Sequence, residues 1–119
     1  MIKNRHIPPV EKLFENPHVR SVEEWMRLVF MSRSNLNRHI RLHYKGRYTP
    51  KDFLYENRLR HLKNILKNEP EITCENLAVK ANFSSRRYLM HFLSYHFGVT
   101  FTEFRRNPER FVVLENKGL

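Results

Sequence analysis

Along most of the chain the apolar residues fall three and four apart instead of alternating, which is the period of helices lying on a core and not of half-buried strands. Trp25, Leu28 and Val29 form one such stripe, Leu36, Ile40 and His43 a second, and Phe53, Leu54, Leu59, Leu62, Ile65 and Leu66 a longer third. The chain has 3 glycines and no Gly/Asn hairpin signals, so the pattern predicts an all-α fold of about seven helices.

Capping chemistry sets the boundaries. Pro9 suits a first helical turn, where its missing N–H has no partner to lose, and Pro17 cannot continue that helix, which should run to about Asn16. Ser21 and Glu24 have the spacing of a capping box, in which each side chain satisfies an orphan amide, and predict a helix over 22–29. Ser32 caps the next, ending near Tyr44. Thr49-Pro50-Lys51-Asp52 combines a cap, a first-turn proline and a returning acid, and opens a helix limited by Pro70. Its roughly 18 residues at 1.5 Å each make a rod of about 27 Å, a stiff connector and not a linker. Thr73 opens a short helix through Lys80, Asn82 tolerates a left-handed turn, and Ser84 or Ser85 caps a helix that runs to about His96 and ends at Gly98. Thr100 with Glu103 repeats the capping box before Pro108. Little fixed structure is expected before Pro9 or from Glu109 onward.

The two pairs of short helices repeat each other. At an offset of 53, Leu36 falls on Leu89, Ile40 on Leu93, His43 on His96 and Tyr44 on Phe97, with turns at Phe30-Met31-Ser32 and Asn82-Phe83-Ser84. The chain then divides into a tail over 1–8, a first helix-turn-helix unit over 9–49, the connector over 50–68, a second unit over 69–106 and a tail over 107–119.

A length of 119 residues excludes a large catalytic fold, and Lys plus Arg 22 against Asp plus Glu 12, a net +10, calls for an anionic partner. Apolar runs such as Phe111 to Leu114 and Leu28 to Met31 are far short of the roughly 18 residues of a membrane helix or the 7 to 15 of a signal core, so a cytoplasmic, nucleoid-associated chain without a membrane partner is expected. The lone Cys74 cannot form an internal disulfide, and no Cys/His cluster has zinc-finger spacing. No cofactor or metal is expected.

The cations are not scattered. Residues 25–51 and 76–102 contain no acid, yet hold Arg27, Arg33, Arg38, Arg41, Lys45, Arg47, Lys51, Lys80, Arg86 and Arg87. Opposite the apolar stripe of the first unit's second helix lie Arg33, Ser34, Asn37, Arg38 and Arg41, and on the matching arc of the second unit lie Arg86, Arg87, Met90, His91 and Ser94. Cations replace counterions along phosphates, while Arg reads guanine and Asn reads adenine in the major groove. One polar helix face is ordinary; two matched ones favour double-stranded DNA.

Ser84-Ser85 through Tyr88, His96-Phe97-Gly98-Val99-Thr100 and Glu103-Phe104-Arg105 resemble the second-half signature of AraC/XylS-type DNA-binding domains. The first half matches at Met31-Ser32, Leu36, Arg38, Pro50, Phe53-Leu54 and Arg58, so that the likeness spans about residues 10 to 106. It implies a bacterial transcription regulator, an activator in the more frequent case, with two recognition helices in successive major-groove segments and RNA polymerase as a protein partner. It places base reading on Ser34, Asn37 and Arg38 and on Arg86, Arg87, Met90 and His91. Phosphate contacts are assigned to Ser32, Arg33, Arg41, Lys45, Ser84, Ser85 and Ser94. The family attaches a sensor or dimerisation domain, so the chain is expected to be either a short stand-alone regulator or the C-terminal part of a longer one, whose missing domain would be a further partner. Asn82 and Phe30 stand where the family has turn glycines, Met26 replaces an alanine, and Phe101 a proline.

Other residues carry blander readings. His39 and His43 have zinc-binding spacing but no third ligand close in sequence, and Cys74 lacks the His or Asp companion of an activated thiol, so an alkyl-transfer or other thiol enzyme is disfavoured. Trp25, Phe83, Phe92 and Phe97 are expected in the core. Arg58, Arg60 and Lys63 on the connector either touch phosphates or keep that helix solvated. The alternative function is an adaptor that holds polymerase or another protein through its aromatic tail, with non-specific DNA affinity.

Overall fold

From the second helix onward, every α-helix begins at a Ser or Thr whose hydroxyl accepts an otherwise orphaned amide. A computed structural model, which describes residues 7–114, gives α1 (Pro9–Phe14), α2 (Val22–Val29), α3 (Arg33–His43), α4 (Pro50–Asn68), α5 (Cys74–Lys80), α6 (Arg86–Phe97) and α7 (Phe101–Arg106), then one 3-10 turn over Pro108–Arg110. The fold is all-α, with no strand among the described residues. Complete capping boxes form at Ser21/Glu24, Thr49/Asp52 and Thr100/Glu103. Of the two candidate caps of α6, Ser85 is the one used. Helix α1 stops earlier than expected, because the Asn16 side-chain amide folds back to donate to the Lys12 carbonyl at 2.8 Å.

Two hydrophobic clusters form, and α4 belongs to both. Its first turns give Phe53 and Leu54 to a cluster with Leu13, Trp25, Leu36 and Ile40. Its later turns give Leu59, Leu62, Ile65 and Leu66 to a second with Leu77, Leu89, Leu93 and Phe104. Trp25, Phe83 and Phe92 are buried and Phe97 packs at the edge, as their spacing requires.

Between the two clusters α4 buries Glu56 and Asn57. The Asn57 amide donates to the carbonyls of Asn16 at 3.1 Å and Val19 at 3.4 Å, which pins the α1–α2 loop to the connector. Glu56 Oε1 accepts from the amides of Val113 at 2.8 Å and Leu114 at 3.2 Å, while Oε2 accepts from Arg60 Nε at 3.1 Å. A buried carboxylate needs such donors.

These bonds correct the expectation of little fixed structure from Glu109 onward. Phe111 is buried, with ring centroids 5.1 Å from Phe97 and 5.5 Å from Phe104, and residues 112–114 continue as a strap along α4. No local signal marks this, because the acid that anchors the strap lies 57 residues before Val113. Apart from Ile7 and Pro8, the expected N-terminal tail lies outside the described residues, as does the C-terminal tail after Leu114.

His43 is a second correction. Expected on the buried stripe, it is exposed, its ring 4.1 Å from that of His39. The next core position goes to Tyr44, which packs 4.9 Å from Phe53. Its repeat counterpart His96 is partly covered, because Tyr55 of α4 lies 4.4 Å away.

Both turns contain a left-handed residue, Phe30 at φ 57 and Asn82 at φ 63. Phe30 is 94% exposed, so nothing packs to offset its strain. Phe30→Gly should therefore raise stability by about 1 kcal/mol in urea melts. Phe111→Ala should lower it by about 3 kcal/mol, whereas a loose tail would leave the midpoint unchanged.

Candidate nucleic-acid interface

Helices α3 and α6 rest on their cores by equivalent residues, Leu36 and Ile40 in one and Leu89 and Leu93 in the other. That anchoring turns the opposite faces outward. Ser34, Asn37, Arg38 and Arg41 are exposed on α3, as are Arg86, Arg87, Met90, His91 and Ser94 on α6. Ser32, Lys45, Ser84 and Ser85 are exposed at the helix ends. Ser32 and Ser85 spend an acceptor on their caps, to the amides of Asn35 at 3.1 Å and Tyr88 at 3.3 Å, and keep a hydroxyl proton to donate. Lys45 follows α3 at φ 55, in the turn completed by Gly46 at φ 73.

Absence of acids along the sequence does not carry over fully into space. Glu23 of α2 pairs with Arg33, and Glu69 with Lys80. Arg33 therefore reaches a phosphate only by sharing or leaving Glu23. Arg38, Arg41, Arg86 and Arg87 have no ion-pair partner among the described residues and remain open to an external anion.

The connector separates its own cations by side. Arg60 bonds Glu56 and covers the Phe14 ring at 3.9 Å. Together with Lys63 it belongs to the side that carries the strap. Arg58 lies on the other side, with Lys51 and Tyr55 at helical spacing, in the ground between α3 and α6. Its guanidinium stacks 3.8 Å over the Phe83 ring and donates to the Asn82 carbonyl at 3.5 Å. Arg20, from the α1–α2 loop, donates to the same carbonyl at 2.6 Å. The Asn82 side chain meets His18 Nδ1 at 3.0 Å, a bond a turn glycine could not make.

A cleft of about 340 Å³ opens beside these arginines, walled by Tyr55, Tyr88, His91 and Tyr95. Arg20 and Arg58 also line a neighbouring depression that includes Lys51, Arg33 and its partner Glu23. The ground from the start of α3 to the middle of α6 thus carries several cations, with Glu23 the acid among them. Arg20 had no signal in the sequence, since it lies outside both repeats and meets Asn82 only through a contact 62 residues long.

Burial sets the local protonation. It pushes the Arg58 guanidinium below its ordinary value, helped by the Arg20 charge. Burial also lowers His96, with His91 adding repulsion and Asp52 opposing it. His61 is lowered by burial, then by His18 and Arg58. The Cys74 thiol is pushed up by burial, the reverse of what a reactive thiolate needs. Among the described residues no group of three His, Cys, Asp or Glu side chains converges as a metal site would require. No helix of the described residues is long and apolar enough to cross a membrane.

Compared with known proteins, the chain matches no family model, no curated protein and no solved structure.

Lowered histidines make stability depend on pH in a definite direction. His61 and His96 are held neutral in the fold, so their contribution is complete above the ordinary 6.5 and is lost as pH falls through their lowered folded values. The melting temperature should fall between about pH 7 and 5, and His96→Gln should flatten that fall; an unchanged slope would contradict the assignment.

Proposed function

We propose that this chain is a sequence-specific double-stranded DNA-binding unit of a bacterial transcription regulator of the AraC/XylS type. The observation that carries the reading is the pair of matched helices, α3 and α6. Each is buried on its Leu and Ile/Leu side, and each offers solvent an arginine-rich face, with no ion-pair partner among the described residues at Arg38, Arg41, Arg86 or Arg87. Arg38, Arg86 and Arg87 supply the paired donors that guanine O6 and N7 accept, and Asn37 the donor and acceptor that match adenine N7 and N6, with Ser34, Met90 and His91 beside them. Arg41, Lys45 and the serines at the helix ends and on α6 hold phosphates.

Because the two faces differ in sequence, one chain reads two unlike half-sites, about 10 base pairs apart, instead of a palindrome. The 19-residue α4 fixes their separation. If it holds the helices closer than the roughly 34 Å of one DNA turn, either the duplex bends to meet both or one helix engages poorly. Activation through RNA polymerase follows from the same resemblance, and so does a sensor or dimerisation domain unless the chain is a short stand-alone regulator; a cytoplasmic location follows from the shortness of the apolar runs.

The adaptor reading loses ground to one observation. The tail aromatic it would use, Phe111, is buried against Phe97 and Phe104.

Competition against random duplex tests the proposal. A site selected from a random pool should be preferred by about 10³ or more, and equal competition would leave only non-specific affinity. Arg38→Ala should cost about 1 to 3 kcal/mol and relax one base position, whereas Arg41→Ala should weaken all sequences alike and flatten the salt slope. Uniform losses from both variants would contradict the division between reading and phosphate contacts.

A further inference from the structure

The cleft walled by α4, α6 and the turn before α6 has more hydrogen-bond donors than the described residues use. Two guanidinium groups carry about ten N–H donors between them. Those of Arg20 and Arg58 converge on a single acceptor, the Asn82 carbonyl. Arg58 Nε is buried with no hydrogen-bond partner among the described residues. No carboxylate of the described residues lines the cleft. Glu24, which feels the Arg20 charge, has its carboxylate held by the backbone amides of Arg20 and Ser21 and by the Ser21 hydroxyl. The two like charges repel, and the nearby acids are engaged elsewhere, Glu24 in its capping box and Glu23 with Arg33, so an anion between the guanidinium groups relieves the repulsion.

Geometry narrows which anion. Phe83 beneath Arg58 fixes the plane of that guanidinium, so its fork cannot turn away. Ser84, exposed and not used as the helix cap, stands on the lip and offers a hydroxyl. Forked donors from two arginines plus a hydroxyl suit a tetrahedral oxyanion with several acceptors.

We propose that Arg20, Arg58 and Ser84 form a phosphate-binding site at the saddle between the two recognition helices. Its natural source is a backbone phosphate of the DNA segment bridging the two half-sites. That source rests on the function proposed above; the phosphate chemistry of the site does not.

Two arms test it on the full chain. In the first, inorganic phosphate is titrated into DNA-free protein at constant ionic strength, and the amide resonances of Ser84 and Tyr88 are followed. Saturable shifts are expected that chloride does not produce, that vanish in Arg20→Ala and weaken in Arg58→Lys, with the melting temperature of each variant checking its fold. In the second, single phosphates of a selected duplex are replaced by neutral methylphosphonates. One position between the half-sites should lower wild-type affinity about tenfold, the loss of one charge-assisted contact, and should have no further effect in Arg20→Ala.

A response in the first arm alone assigns the site to free phosphate, and in the second alone to DNA. Phosphate binding by a chain that selects no duplex would sink the DNA reading and leave the site standing. Selective DNA binding with neither response, or phosphate shifts unaltered in folded Arg20→Ala, would overturn the site.

Discussion

Three consecutive side chains in the middle of α4 hold the structure in register. Glu56 receives the C-terminal strap, Asn57 the α1–α2 loop, and Arg58 the turn before α6. Successive helical positions point about 100° apart, so the three reach in different directions from one turn of the rod. Each bond joins segments far apart in sequence, and two of the three side chains are buried. Breaking one leaves a buried amide or carboxylate unsatisfied, which is why the units cannot swing freely on the connector. The spacing of α3 and α6 is therefore a property of the central turn of α4 as much as of its length.

That constraint gives the charge distribution its meaning. A surplus of +10 spread evenly would give only weak attraction to any polyanion. Here acids are used inward or locally: Glu56 under the strap, Glu24 and Glu103 in capping boxes, Glu23 and Glu69 against single cations. Arg38, Arg41, Arg86 and Arg87, without ion-pair partners among the described residues, are left on α3 and α6, and Arg20 and Arg58 occupy the ground between. Helix packing thus turns a compositional excess into a directed surface.

Helix positions were legible because caps act locally: Ser21, Thr49, Thr73 and Thr100 each bond an amide three residues on. The outward faces of α3 and α6 were legible for a related reason, since Leu36, Ile40, Leu89 and Leu93 fix the rotation of their helices. What escaped was set at long range. Phe111 follows every helix signal, yet fills a gap beside Phe97 that only the folded chain creates. His43 keeps helical spacing, but the core row of α3 runs through Leu36, Ile40 and Tyr44, so that Tyr44 takes the position and His43 is turned about 100° from it. The Arg33–Glu23 pair was invisible to a count of acids along one segment, because Glu23 belongs to the neighbouring helix. Asn82 looked like a tolerated glycine replacement; its contact with His18 shows a second use for the amide.

The proposed function requires two dissimilar reading faces held at a fixed separation on one side of the molecule. Binding to a selected duplex with about five base pairs inserted between its half-sites tests this most directly, because half a turn moves one half-site to the opposite face of the DNA. The account predicts that affinity falls to the level of a single half-site and returns in part when the insertion is made a full turn and the DNA can bend. Affinity unaffected by the half-turn insertion would contradict it.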